Sequence, residues 1–305
     1  MLEKFKKTGK GIRKNVGLYI MFAIPFAWYL IFKYAPMYGI QIAFRRFNPT
    51  LGITGSPWVG LTYFKQFFES YYFTNILWNT ISLSVFTMLI GFPVPILLAL
   101  LINEIKNVKF KKLIQNITYI PNFLSVVVIV SMLTLFSNSD YGLFNKITGL
   151  FGIAPVDFMS KPALFQPLYV FSNVWQFMGF NAIIYIAALS SVDQELYEAA
   201  SIDGATRLQK IIHISIPCIM STIIVLFIMR IGSLMSVGFE KVYLMQNSVT
   251  LSASEVISTF IYKNGIQKGQ FSYSTAVGLF NSVINFVLLV SANFASKKLT
   301  KTSLW

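Results

Sequence analysis

The apolar residues of this chain come in long unbroken runs, separated by short segments rich in lysine, glycine and proline. Six runs stand out, at 16–36, 76–102, 113–136, 167–189, 211–239 and 271–294. Each can supply the ~20 apolar residues that a helix needs to cross the hydrocarbon core of a bilayer. The pattern predicts an all-α, polytopic membrane protein with about six transmembrane helices. A short N-terminal segment, 1–15, precedes a single transmembrane domain, 16–296, and a tail, 297–305, follows it. Pro25, Pro93, Pro95, Pro121 and Pro217 fall in or near the runs. They predict kinked helices, which membranes tolerate where neighbours satisfy the freed carbonyls. Connections at roughly 37–75, 137–166 and 240–270 carry glycine, proline, serine and aromatic residues, and read as small ordered caps.

One polar, small-residue island interrupts the pattern between the fourth and fifth runs. It reads Tyr197-Glu198-Ala199-Ala200-Ser201-Ile202-Asp203-Gly204-Ala205 and continues through Arg207 and Lys210 to Ile214-Ser215-Ile216-Pro217. The spacing predicts a short helix, a tight turn and a return into the membrane. Ser191-Val192-Asp193-Gln194 offers a capping box to start the helix. Leu196, Ala199, Ala200 and Asp203 share one face of it, and the two alanines let another protein surface approach. Gly204 stands where the chain must leave the helix with φ > 0.

Composition agrees with the membrane reading. Of 305 residues, 55% are hydrophobic and 12% charged, against about 25% charged in a soluble domain. The basic start, with Lys4, Lys6, Lys7, Lys10, Arg13 and Lys14, leads into an apolar run too long for the core of a secretory signal. It reads as a retained first span. Six spans put both termini on one side. The N-terminus, the loop with Lys106, Lys109, Lys111 and Lys112, the island at 191–217 and the tail together hold fifteen basic residues; the opposite segments hold nine. The richer set is expected in the cytoplasm of a bacterial-type plasma membrane. The net charge of +14 thus follows membrane topology. No basic-aromatic reading surface for nucleic acid accompanies it. Cys218 is the single cysteine, which excludes an intrachain disulfide.

Glu198-Ala199-Ala200, three residues, Gly204, nine residues, Ile214, one residue, then Ile216-Pro217 resembles the EAA loop of binding-protein-dependent ABC importer permeases. That family usually has leucine where this chain has Ile216. The resemblance extends over nearly the whole chain. Trp58-Val59-Gly60-Leu61-Thr62-Tyr63-Phe64 and Asn79-Thr80 look like the start of the family's core. Ile120-Pro121-Asn122-Phe123-Leu124-Ser125 and the stretch from Glu198 to Ala205 look most like permeases for complex oligosaccharides and polysaccharide fragments. The resemblance implies a type I importer permease fold and one half of a transmembrane dimer, with a related but different permease as the other half. It also implies two ABC ATPase subunits that dock inside and carry ATP and Mg, and an extracytoplasmic solute-binding protein that delivers a carbohydrate. Carried over residue by residue, the ATPase-coupling set is Glu198, Ala199, Ala200, Asp203, Gly204, Ile214 and Pro217.

No catalytic or metal site is expected. His213 is the single histidine, no Asp or Glu lies inside a run, and there is no GxxxxGK[ST] loop to hold ATP. Neither an acidic proton relay nor a cofactor on this chain is predicted. Arg230, inside the fifth run, is a candidate for the substrate path, because an intramembrane arginine is costly unless it meets water or a partner. Snorkelling or pairing with a carbonyl is the structural alternative. Asn173, Trp175, Gln176 and Asn181 on the fourth run, and Asn281 with Asn285 on the sixth, offer amides and aromatic faces suited to sugars. Helix–helix hydrogen bonding suits the amides equally well. An ion channel or secondary transporter for a small polar solute is the alternative class, disfavoured by the missing acidic residues and by the complete motif.

The topology is testable by labelling. In a Cys218→Ser background, cysteines near Lys109 and Gly204 are expected to resist an impermeant thiol reagent in intact cells, and cysteines near Gly55 and Gly265 to react. Labelling at Gly204 from outside would reverse the orientation.

Overall fold

The computed structural model describes residues 15–300 and 302–304. The expected basic N-terminus lies outside the described residues apart from Asn15, as does Lys301. The described residues form helices joined by turns and irregular segments, with two isolated β-bridges, Arg45 to Trp58 and Asn48 to Gly52, and no strand among them. Four helical rods are long and apolar enough to cross a membrane: α1, Val16–Phe44; α2, Phe73–Asn103; α5, Pro162–Ser190; and α10, Phe271–Thr300. Counting each of two bent pairs as one span brings the number among the described residues to six. The first pair is α3, Val108–Phe123, with α4, Val126–Ser137, at 98°. The second is α7, Arg207–Cys218, with α8, Met220–Gly232, at 63°. Between α5 and α7 lies α6, Gln194–Ile202, and after α8 comes α9, Phe239–Met245.

Two of the predicted runs differ from the helices in an instructive way. The run at 113–136 is not one straight span, because Pro121 tightens the end of α3 and Leu124 turns extended (ψ 136) before Ser125 caps α4. The run at 211–239 stops being helical at Gly232, and residues 233–238 are unwound although Leu234, Met235 and Val237 keep the run going in hydropathy.

Three hydrophobic clusters hold the bundle. The first joins α2, α4, α5 and α9 through Leu83, Ile129, Tyr169 and Val242. The second gathers Phe67, Ile76, Met235, Phe260, Tyr273 and Val277. The third, at the other end of α2 and α5, packs Ala99, Leu100, Ala182, Leu189, Val192 and Ile219 beneath α6 and α7. By contrast, the first half of α1 is bare: none of Val16–Tyr29 is buried, while its end, Ala35–Phe44, packs on α10 and buries Ala43.

The connecting segments are tied to the bundle by side-chain amides and hydroxyls. The Asn79 amide donates to the Ser252 and Glu255 carbonyls at 2.9 and 3.1 Å, and the Ile257 N–H donates to Thr80 Oγ1 at 2.9 Å. This explains the Asn79-Thr80 pair that opens the core. Lys241 on α9 is 4% exposed. Its Nζ donates to Gln176 Oε1 at 3.3 Å and lies 5.8 Å from the centre of the Tyr169 ring. Gln176 Nε2 in turn donates at 3.2 Å to the Leu124 carbonyl, freed by the break between α3 and α4. Burial pushes the Lys241 ammonium down to about 8, so near neutral pH it is still charged and held by an amide and a ring.

Where α5 crosses α3, the two backbones nearly touch. A Cβ at Gly179 would run into the carbonyl of Thr118, and backbone cannot move aside as a flexible side chain can. Gly179→Ala is therefore expected to destabilise the subunit by about 1–3 kcal/mol, read as a lower thermal-unfolding midpoint in detergent. An unchanged midpoint would mean that the crossing is looser than it stands here.

Candidate functional site

The coupling loop starts on a cap different from the expected one. Asp193, rather than Ser191, is the N-cap of α6, its Oδ1 accepting from the Glu195 N–H at 3.0 Å. The Ser191 hydroxyl instead donates back to the Ala188 carbonyl and closes α5. At the far end Gly204 has φ 74. The Ala205 N–H donates to the Ala200 carbonyl at 2.9 Å and the Gly204 N–H to the Ser201 carbonyl at 3.2 Å. That pair of bonds is a Schellman motif, which requires a left-handed residue at Gly204. Thr206 then opens α7 with a reciprocal capping box to Gln209.

The chain next widens into a π turn over Ile211–Ser215, closed by the Ile216 N–H on the Ile211 carbonyl. Pro217 follows at once. Its missing N–H and its ring cannot fit a regular α ladder, and the wide turn accommodates both. Ile214 is half-buried in the third cluster, and Pro217 is exposed. On α6, Leu196, Glu198, Ala199 and Asp203 are exposed and Ala200 is half-buried. Glu198 takes part in no ion pair among the described residues. The loop thus presents a small-residue face with a free carboxylate, standing outside the bundle on a rigid turn.

A second feature is a polar cleft of ≈ 440 Å³ between α2, α5 and α8. Asn173 and Asn181, two turns apart on α5, line it together with Arg230 of α8. No Asp or Glu is among its lining residues. Trp175, Gln176 and Asn281 are placed elsewhere. Trp175 packs against the first cluster, and Gln176 is 2% exposed and bonded to Lys241 and Leu124. Asn281 is half-buried away from the cleft, its Oδ1 without a hydrogen-bond partner. Asn285 bridges to the unwound stretch, accepting from the Met235 N–H at 2.9 Å and donating to Ser236 Oγ at 3.0 Å.

The cleft also contains residues that sequence reasoning passed over: Ser84, Thr87, Tyr169, Ser233, Ser236 and Gly238. Their signal was weak, since single hydroxyls inside apolar runs usually bond to their own helix. Gly232 with the serines after it was the visible hint of an unwound segment.

Comparison with known proteins places these features in a family. Residues 91–301 match the family model described as "Binding-protein-dependent transport system inner membrane component". Protein LplB of Bacillus subtilis (strain 168) is 42% identical over 98% of this chain and 96% of its own. The polygalacturonan/rhamnogalacturonan transport system permease protein YteP of the same organism is 43% identical over 97% of this chain and 92% of its own. Among solved structures, a chain of a bacterial ABC transporter involved in the import of the acidic polysaccharide alginate superposes with a TM-score of 0.89. It is 39% identical and covers 96% of this chain and 99% of its own. A chain of a bacterial alginate ABC transporter in complex with an alginate pentasaccharide-bound periplasmic protein also superposes with a TM-score of 0.89, at 39% identity over 97% of this chain and 99% of its own. With the matched model spanning well over half of its length, this chain belongs to the inner-membrane components of binding-protein-dependent transport systems, as a multi-pass ABC importer permease subunit.

Proposed function

We propose that the chain forms half of an ATP-driven import path for an oligosaccharide or polysaccharide fragment. A second, related permease completes the path. Two ATPase subunits, which bind ATP and Mg, dock on α6 from the cytoplasm, and a solute-binding protein delivers the sugar from outside. Both termini face the cytoplasm. The observation that carries this reading is the coupling loop: its inner side is anchored in the third cluster, while Glu198 and Ala199 on its outer side are exposed among the described residues. LplB, YteP and the alginate transporter, alike over nearly the full chain, support the carbohydrate class.

The cleft supplies the sugar-facing groups. Asn173 and Asn181 offer amides to hydroxyls, and Arg230 offers a cation that no lining carboxylate neutralises. A saccharide bearing carboxylates fits that charge best. In this reading ATP-driven closure of the ATPases moves α6, and the spans switch from inward-facing to outward-facing to receive the sugar.

Two tests follow from these roles. Losing a charge-assisted contact at a partly buried interface costs on the order of 2–5 kcal/mol. A side chain at a left-handed glycine position costs another ~1 kcal/mol. Glu198→Ala is therefore expected to weaken ATPase docking or uncouple ATP hydrolysis from uptake, and Gly204→Asp to do so more severely, with membrane insertion intact. The measurement is ATPase activity stimulated by loaded binding protein in liposomes, alongside uptake. Wild-type values of both for Gly204→Asp would remove the coupling role.

Arg230→Met is expected to leave the complex assembled and to reduce uptake of an oligogalacturonide, with Arg230→Lys intermediate. Normal uptake combined with poor assembly would make Arg230 a structural partner instead.

A further inference from the structure

Tyr197 was absent from the coupling set, yet it makes the contact that joins the two halves of the loop. Its ring packs half-buried with Ile211, Ile214 and Ile216 in the third cluster. Its hydroxyl lies 2.9 Å from Ser215 Oγ, eighteen residues on. Ser215 is 1% exposed, so water does not compete for this bond as it would at a surface. A second link runs parallel, from Lys210 Nζ to Ser201 Oγ at 2.6 Å. Between the links, the turn at Gly204 and the Thr206 capping box leave little freedom.

The position of Ser215 matters as much as the bond. It ends the π turn, two residues before Pro217, and lies just ahead of the 63° bend between α7 and α8. At that bend Ile219 leaves the helical region, with φ -97 and ψ 6. Beyond it, α8 carries Arg230 into the cleft. In the other direction, α6 is joined to α5 by Ser191, Val192 and Asp193 alone. A displacement of α6 therefore has two routes into the membrane, and the Tyr197–Ser215 bond is the one that ends at a hinge.

Given the coupling role proposed for α6, we infer that Tyr197 and Ser215 are positioning residues. They make α6 and the first half of α7 one rigid lever, which pivots at Ile219 and so moves α8. The ring alone does not suffice: apolar packing is non-directional and permits sliding, whereas the hydroxyl pair sets one register.

The test uses the whole complex of both permeases and the ATPases in liposomes, in a Cys218→Ser background. Spin labels are placed at Gln194→Cys on α6 and Ile212→Cys on α7, both exposed positions. The label-to-label distance is measured by double electron–electron resonance without nucleotide and after trapping with ATP and vanadate. In the otherwise wild-type chain one narrow distance is expected, unchanged by trapping. Tyr197→Phe keeps the ring and removes the bond. It is expected to raise the population at other distances about fivefold in the trapped state, the size expected for one net hydrogen bond. Ser215→Ala is expected to do the same, and the double variant no more than either single one.

An unchanged distribution in Tyr197→Phe would overturn the lever, as would additive effects in the double variant or a wild-type distance that shifts on trapping. Failure of the underlying coupling role shows separately, as wild-type ATPase and uptake in Gly204→Asp. If Gly204→Asp uncouples while Tyr197→Phe does not loosen α6, the lever alone is refuted.

Discussion

Lipid offers no hydrogen bonds, so every backbone group that leaves a helix inside the membrane must be met by the protein itself. This chain breaks its helices repeatedly, and its architecture is the set of answers to that constraint. The carbonyl of Leu124, freed between α3 and α4, is met by Gln176. The N–H of Met235, in the unwound stretch after α8, is met by Asn285. In the connecting segment around residues 252–257, outside the spans, free backbone groups are met in the same way by Asn79 and Thr80. Each answer comes from a different helix from the one that broke, so satisfying the backbone also fixes how the helices are arranged.

The same constraint sorts the polar side chains of the bundle by role. Gln176, Asn285 and Asn79 are committed to backbone groups and hold the irregular segments in place. Asn173, Asn181 and Arg230 make no such bond among the described residues and line the cleft. Lys241 belongs with the first group despite its charge, because it reinforces Gln176 and packs on Tyr169. A polar residue in a membrane helix therefore marks a path only after its backbone duties have been discounted.

That distinction also separates what could be read in the chain from what could not. Hydropathy averages over about twenty residues, so among the described residues it located the four long apolar helices and both bent pairs, although it ran the fifth run past its end at Gly232 because Leu234, Met235 and Val237 remain apolar. The helix and turn at 194–217 were largely legible, since Gly204 and Pro217 impose local geometry that needs no tertiary partner. The cap at Asp193 was misjudged in favour of Ser191 by two positions, a difference decided by where α5 ends. Neither the cleft nor the Tyr197–Ser215 contact could be read locally, because both depend on how α5 and α8, or α6 and α7, come together across the fold.

The bare flank of α1 and the open cleft also bear on biogenesis. A single copy leaves the Val16–Tyr29 half of α1 without a buried residue and sets Arg230 in a cleft with no carboxylate among its lining residues. The arginine is costly to leave facing lipid, and the bare half of α1 forgoes the packing that joins membrane helices, so the stability of the subunit in the bilayer is tied to its assembly with whatever covers both surfaces.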